Sequence, residues 1–358
     1  MKRTIIFILA LAIILLAIPT VQAAPGNSPS LRGVQMFPAD NIWNTPIDDM
    51  PVDSHSETWI ATLRRDTTGI DWNVRFPYNV VDAGVTHQYI KSWEFPGESD
   101  DVPYPIPDAP LIEGEWAPGE SDYHMLMVDV GSHEVYELSY ADEVGGGWNA
   151  GAGAVWDYSS NDLRPAEWTS TDAAGLPVLP GLVRYDEVAA GAIHHALRLT
   201  IINSNNSYVW PARHKSGVSN NGLRPGMGQY FRLKSSVDIN GYSPQAKVIA
   251  QALKTYGMIV ADNGAHNMLS FVPDSRWSWG DVEELYNLDI NDFEAVDVSP
   301  LMIDPDSGQA RITPASTPTP TPTPTPPGCW YLFSSLSNVY EIWKTCISTL
   351  LGNTKVAF

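Results

Sequence analysis

From Thr313 to Gly328 the chain reads TPASTPTPTPTPTPPG, and no other stretch restricts it so strongly. Alternating proline removes the amide donors that a helix or a strand ladder needs and fixes φ near −65°. The run 313–328 is therefore expected to stay extended and solvated as a semi-rigid Thr/Pro linker. It separates a long body from a short tail, 329–358.

The other end carries a second boundary. Lys2 and Arg3 precede an apolar run from Ile5 to Ile18, and Val21-Gln22-Ala23 forms a small-residue cleavage signal. Residues 1–23 are thus expected to be a signal peptide, because an apolar run of about 14 residues is short for a span of roughly 20. A secreted or cell-surface protein follows. In the tail, Leu332, Leu336, Val339, Trp343, Ile347 and Leu350 fall near helical spacing. That pattern suits an amphipathic helix for cell-surface or membrane-surface attachment, or a truncated remnant of a larger module. Both cysteines, Cys329 and Cys346, lie there, so the body has no disulfide and no thiol nucleophile.

The body, 24–312, is expected to be one β-rich domain. YHMLMVDV and HEVYELSY flank Gly131-Ser132 as a hairpin, and AIHHALRLTII, GQYFRLKSSV, MIVAD and NMLSFV are further strand candidates. The best helix is Pro244–Tyr256, with Ser243 as N-cap, Val248, Ile249, Ala252, Leu253 and Tyr256 as its buried face, and Gly257 as its stop. WGDVEELYNL is a shorter one. The expected class is all-β or α+β, with antiparallel sheets in a sandwich or barrel-like arrangement and two or three helices.

Charge narrows the partners. Without the leader, 19 basic residues face 41 acidic ones, a formal net charge of −22. Such a surface repels phosphate backbones, so nucleic acid is not an expected partner, and neutral or cationic ligands fit better. GGGWNAGAG (145–153) lacks the lysine and helix of a phosphate loop, and no GxSxG, HExxH, Walker or GxGxxG motif occurs.

Candidate chemistry lies in histidines, carboxylates and tryptophans. Strand alternation puts His195 with Ile193, Leu197 and Leu199, and His194 with Arg198 on the more polar face. His124 likewise opens the apolar face of Leu126 and Val128, and His214 follows Pro211 and Arg213 on a loop. Each histidine is either a satisfied core group or a polar group at the mouth of an apolar cleft. Asp262 ends an apolar strand before Asn263-Gly264. It either braces a hairpin turn or is a general acid with a raised pKa. Asp186 and Glu187 either cap a short helix or serve a site.

Asp157 and Asp172 sit in loops rich in tryptophan, with Trp148, Trp156 and Trp168 close in sequence and Trp210 further on. Flat rings that stack on pyranose faces, beside paired carboxylates, are the equipment of sugar sites. Three converging histidines could hold a metal, but no HxH or HxxxH spacing is present. DPDSG (304–308) lacks the closing glutamate of a calcium loop, so no cofactor is expected beyond a possible divalent cation.

Several segments together resemble a family of exported bacterial proteins, many of them carrying Pro/Thr linkers: RYDEVAAG, HALR, YVWPARH and YGMIVADNG. The likeness covers about Phe37 to Val298. It implies export, a single intact domain, and family positions at His124, His195, His214 and Asp262; it implies no reaction.

These readings converge on a carbohydrate-active protein with polysaccharide as its partner. A glycoside hydrolase of neutral polysaccharide would pair Asp262 with Asp157, Asp172 or Asp186, while His124, His195 and His214 orient substrate. Arg198, Arg213, Trp148, Trp156, Trp168 and Trp210 would bind it. The alternatives are a non-catalytic glycan-binding or cell-surface protein, and a polysaccharide lyase in which Arg198 or Arg213 neutralises a uronate.

Overall fold

The computed structural model describes residues 26–31, 33–114, 121–264 and 266–312. The expected leader, linker and tail lie outside them. All described residues belong to one compact unit, which ends at Ile312. Among them no helix is long and apolar enough to cross a membrane.

Three sheets form the framework. The largest has six strands in the order β1 (Asp71–Val74), β12 (Met268–Phe271), β9 (Leu197–Ile201), β11 (Met258–Asn263), β10 (Tyr230–Leu233) and β13 (Phe293–Val296). A four-stranded sheet runs β2 (Tyr78–Val81), β4 (Met125–Asp129), β5 (Glu134–Leu138), β8 (Gly153–Asp157). The smallest runs β3 (Ser92–Trp93), β7 (Trp148–Ala150), β6 (Asp142–Glu143). Four α-helices accompany them: α1 (Ser56–Asp66), α2 (Tyr185–Ala190), α3 (Pro244–Thr255) and α4 (Trp279–Val282).

The domain is a β-rich α+β fold, and no sheet closes into a barrel. The expected antiparallel sheets are in fact mixed, since β1/β12, β9/β11, β2/β4 and β3/β7 pair in parallel. The Asn263-Gly264 hairpin does not form either. β9 lies between β11 and β12 and pairs with both. All five of its residues are buried, so it takes the sheet's centre, where both faces are covered.

The hairpin β4–β5 pairs as the sequence suggested, with Met127 opposite Tyr136. Its alternation feeds two cores. Leu126 and Val128 pack in the larger one with residues of the six-stranded sheet and α3, while Met125 and Met127 pack with Trp148, Tyr104 and Leu138 in the smaller.

Helix α3 buries Ile249, Ala252 and Leu253 but leaves Val248 and Tyr256 only half-buried. Ser243 occupies the N-cap without a side-chain cap bond; its N–H donates to Glu284 Oε2 at 2.6 Å. The second helix is shorter than its pattern suggested, because after α4 the chain tightens into a 3₁₀ turn over Glu283–Asn287.

Gly257 ends the helical region at φ +69°, and a Cβ there would overlap the Phe231 carbonyl oxygen. Gly257→Ala should therefore destabilise the domain by about 2 kcal/mol or more, from left-handed strain and the overlap together. A lowered midpoint in chemical denaturation with an unchanged slope would show it.

Candidate functional site

An irregular segment, 170–179, is buried almost throughout. Buried irregular backbone must find partners for its polar groups, and this one finds them in two sheets. On the four-stranded sheet, the fully buried Glu137 accepts from Val178 N and Leu179 N, both at 3.0 Å, and from Thr171 Oγ1 at 2.9 Å. Burial pushes its carboxyl above the usual carboxylate range despite those donors. On the six-stranded sheet, Asp172 meets Arg198, and Ala174 N donates to Ala261 O at 2.9 Å.

Arg198 is fully buried and uses all five of its N–H donors on the protein. Nε and Nη2 grip Asp172 at 2.6 Å each. Nη1 reaches Thr200 and Ser270 at 2.9 and 2.8 Å, and Nη2 also reaches Asp262 Oδ2 at 3.0 Å. Its guanidinium lies 5.1 Å from the centre of the Phe76 ring, and His124 packs 5.3 Å from that same ring.

His124, just before β4, faces an acceptor at each ring nitrogen: Glu113 Oε2 at 2.6 Å and Thr171 O at 2.8 Å. Both nitrogens therefore carry protons. Burial favours the neutral ring, but the Glu113 charge outweighs it and raises the pKa to about 9.

Asp262 is the open member of the group, with 23% of its side chain exposed at the end of β11. Burial and the neighbouring Asp172 charge raise its pKa to about 7, against the opposing pull of Arg198, the Asn263 N–H and His124. Its charge is felt at the phenol of Tyr140, whose pKa rises to about 12 through burial, a bond to Asp122, and the charges of Asp122, Glu94 and Asp262. Tyr140 and Tyr123 are each about half exposed, at 47% and 48%, and both hold a left-handed backbone at φ +48°. The Tyr140 ring lies over Gly151, where a Cβ would come within 2.5 Å of it. The Gly151 carbonyl also accepts from the N–H of Phe95, another exposed ring. Residues in sparsely populated backbone regions cluster at functional sites, where surrounding structure supports the strain.

His214 is tied to the same buried segment. Its N–H and that of Arg213 both bond Ala174 O, and its Nδ1–H donates to Ala173 O at 2.9 Å. Nε2 has no hydrogen-bond partner among the described residues. His124, Asp262 and His214 are thus gathered around one buried segment.

His195 is not with them. It precedes β9 rather than lying in it, because α2 ends at Gly191 (φ +93°) and an irregular link carries both histidines to Leu197. Asp262 sits opposite Thr200, so Leu197 at the start of β9 is already about 10 Å away along the parallel pair β9/β11, and His195 lies two residues before it. Its Nδ1–H donates to Ala196 O at 2.8 Å, and Nε2 lies 3.1 Å from Glu187 Oε2. Burial opposes the charge of Glu187, yet Arg184 and His195 hold its carboxyl down at about 2.

The remaining candidates are dispersed. Asp172 lies on the same guanidinium nitrogen as Asp262 but is sealed from solvent. Asp157, exposed at the end of β8, accepts from the N–H and hydroxyl of Ser159. Asp186 stands in the first turn of α2. Trp148 and Trp156 are core side chains, one in each core. Arg164 lies 5.5 Å from the Trp168 ring, and Trp210 Nε1 donates to Ser307 O. Arg213 spends its guanidinium on the carbonyls of Arg164 and Pro305 and on Asp306. Among the described residues no three His, Cys, Asp or Glu side chains are grouped to hold a metal ion.

Sequence reasoning missed Glu113, Glu137, Asp122, Glu94 and Tyr140. Glu137 was findable, since strand alternation places an acid beside Val135 on the inward face of β5; the others lie on irregular chain that carries no periodic signal. No protein-family model, curated protein or solved structure matches this chain.

The Glu113–His124 pair makes a pH prediction. Because the His124 pKa is raised, its contribution is complete below about 6.5 and is lost as pH rises through about 9. Glu113 is shifted down, so its share is present above its ordinary value near 4.5 and is lost in acid. Thermal midpoints should therefore fall between pH 7 and pH 10. His124→Gln should lower the midpoint by the equivalent of about 3–5 kcal/mol at neutral pH and remove this decline.

Proposed function

We propose that this is an exported glycoside hydrolase acting on neutral polysaccharide, with Asp262 handling the proton. One observation carries the reading: a partly exposed carboxyl at a strand end whose pKa is raised to about 7. A general acid is most effective when its pKa lies near the working pH, and burial beside a like charge is how carboxyl groups reach that value.

The surroundings support a sugar substrate. Tyr140, Tyr123 and Phe95 are exposed aromatic rings of the kind that stack on pyranose faces. Asp122 and Glu94 act on Tyr140 together with Asp262, which supports further carboxylates being near that side chain. The formal charge of −22 without the leader disfavours acidic glycans. Arg198 and Arg213 have their guanidinium groups committed to protein oxygens, which weighs against the uronate-neutralising role that a lyase requires. Export rests on the leader pattern of residues 1–23.

In the proposed reaction, protonated Asp262 gives its proton to the departing glycosidic oxygen. Asp122 or Glu94 takes a proton from water as the water oxygen bonds the anomeric carbon. Asp172 cannot serve as this second carboxylate because it is sealed and held by Arg198. Arg198 is a positioning residue: it fixes Asp262 and, with Asp172, sets the balance of charge around it.

Asp262→Asn should reduce reducing-end release from a neutral polysaccharide by at least about 100-fold. The raised Asp262 pKa means its contribution to stability is complete below about 3.8 and lost as pH rises through about 7. The variant should therefore be at least as stable as the parent at pH 8, so lost activity would not reflect lost fold. Parent activity should decline as pH rises through about 7. Retained activity in Asp262→Asn would refute the assignment.

A further inference from the structure

A cleft of about 610 Å³ opens away from Asp262, at the other end of the β9/β11 pair. One wall comes from residues 33–44. The other comes from α2, the link to β9 and the end of α3, with Arg184, Asp186, Glu187, His194, His195 and Tyr256 as its polar lining.

Part of this lining is closed on itself. Arg184 Nη2 holds Glu187 at 2.5 Å, Nη1 donates to Leu179 O at 3.1 Å, and Glu187 holds His195. Three groups are left incompletely satisfied. Arg184 Nε–H is buried without a hydrogen-bond partner, although the side chain is 5% exposed. The Asp186 carboxylate accepts only the N–H of Glu187, at 3.1 Å, among the described residues. His194 Nδ1 meets the Tyr256 hydroxyl at 3.3 Å, with the two rings edge to face at 6.2 Å, and its Nε2 is unpaired among the described residues.

The cleft therefore presents an acceptor-only group and an imidazole nitrogen that can act either way, with an unmet donor, Arg184 Nε–H, buried in its wall. An anionic ligand would suit Arg184 but be repelled by Asp186 and by the charge of the whole body. A cationic ligand would suit Asp186 and leave Arg184 unmet. Hydroxyl groups donate and accept, so a polyol satisfies all three.

We propose that this cleft is a non-catalytic saccharide-binding subsite that takes a neutral disaccharide-sized unit. A volume of 610 Å³ lies within the usual range of small-molecule sites, and the Tyr256 and His194 rings offer an apolar edge beside the polar groups. The identity of the ligand rests on the carbohydrate reading above; the location of the site does not. The site would hold one part of a glycan, or one chain of an insoluble material, while Asp262 acts on another.

The test uses the full chain carrying Asp262→Asn, titrated by calorimetry and ligand-observed NMR with cellobiose, maltose, mannobiose and xylobiose. Glucosamine and galacturonic acid serve as cationic and anionic probes. At least one neutral disaccharide should bind, and Asp186→Ala and His194→Ala should each weaken it about tenfold with unchanged thermal midpoints. Tyr140→Phe, which lies outside the cleft lining, should leave this binding unchanged.

Absence of binding by all four disaccharides would overturn the proposal. So would binding indifferent to Asp186→Ala and His194→Ala, or a preference for either charged probe. Turnover measured on the Asp262 parent is a separate readout, so the hydrolase reading can fail while cleft binding stands, and the reverse.

Discussion

A guanidinium with every donor committed to protein oxygens ties the central strand of the six-stranded sheet to the segment buried against the four-stranded sheet. Arg198 sits on the central strand of the six-stranded sheet and grips Asp172, which belongs to the buried irregular segment beside the four-stranded sheet. Both ions are out of water, at a cost of several kcal/mol each, and only close two-pronged contact offsets that. The pair is therefore better understood as a device of geometry than as a source of net stability. Apolar side chains could fill the space at least as favourably, but they would fix neither Asp262 nor the segment that carries Thr171 and Asp172.

The network has a consequence for chemistry. Arg198 alone would hold Asp262 ionised, as an arginine does for an ordinary surface acid. Arg198 is shared with Asp172, and the burial of Asp262 together with the Asp172 charge prevails over the pull of Arg198. A single cation shared between two carboxylates thus leaves Asp262 free to exchange its proton near neutrality. His124, kept protonated by Glu113, is buried against the same Phe76 ring as Arg198. A histidine on an apolar face proved to be a buried cation rather than a proton carrier.

The readable part of this architecture follows periodic signals. The β4–β5 hairpin, helix α3 and strands β9 to β12 announce themselves by alternation, helical spacing and a terminal glycine. What stayed hidden depends on partners distant in sequence. Nothing local in MIVADNG says that β9 will insert beside β11 and abolish a turn that Asn263-Gly264 would otherwise favour. Nothing in AIHHALR says that the strand starts only at Leu197, which separates His195 from Asp262 by the length of a strand. Asp262 was legible as an acid at the end of an apolar strand. Glu113 and Tyr140, on irregular chain, came into view only through the residues packed against them. Tryptophan abundance misled in its own way: Trp148 and Trp156 fill two cores in a body without cysteine, where large rings supply the burial that cross-links would otherwise supplement.

The proposed chemistry turns on the proton affinity of one side chain. Carbon-13 NMR of the full chain labelled at aspartate carboxyl carbons, with the Asp262 signal identified by its loss in Asp262→Asn, measures that affinity directly. A titration midpoint near pH 7 is the expected result. A midpoint near 4, the value of an ordinary exposed aspartate, would show that Arg198 governs Asp262 after all, and the proton-transfer role built on it would fall.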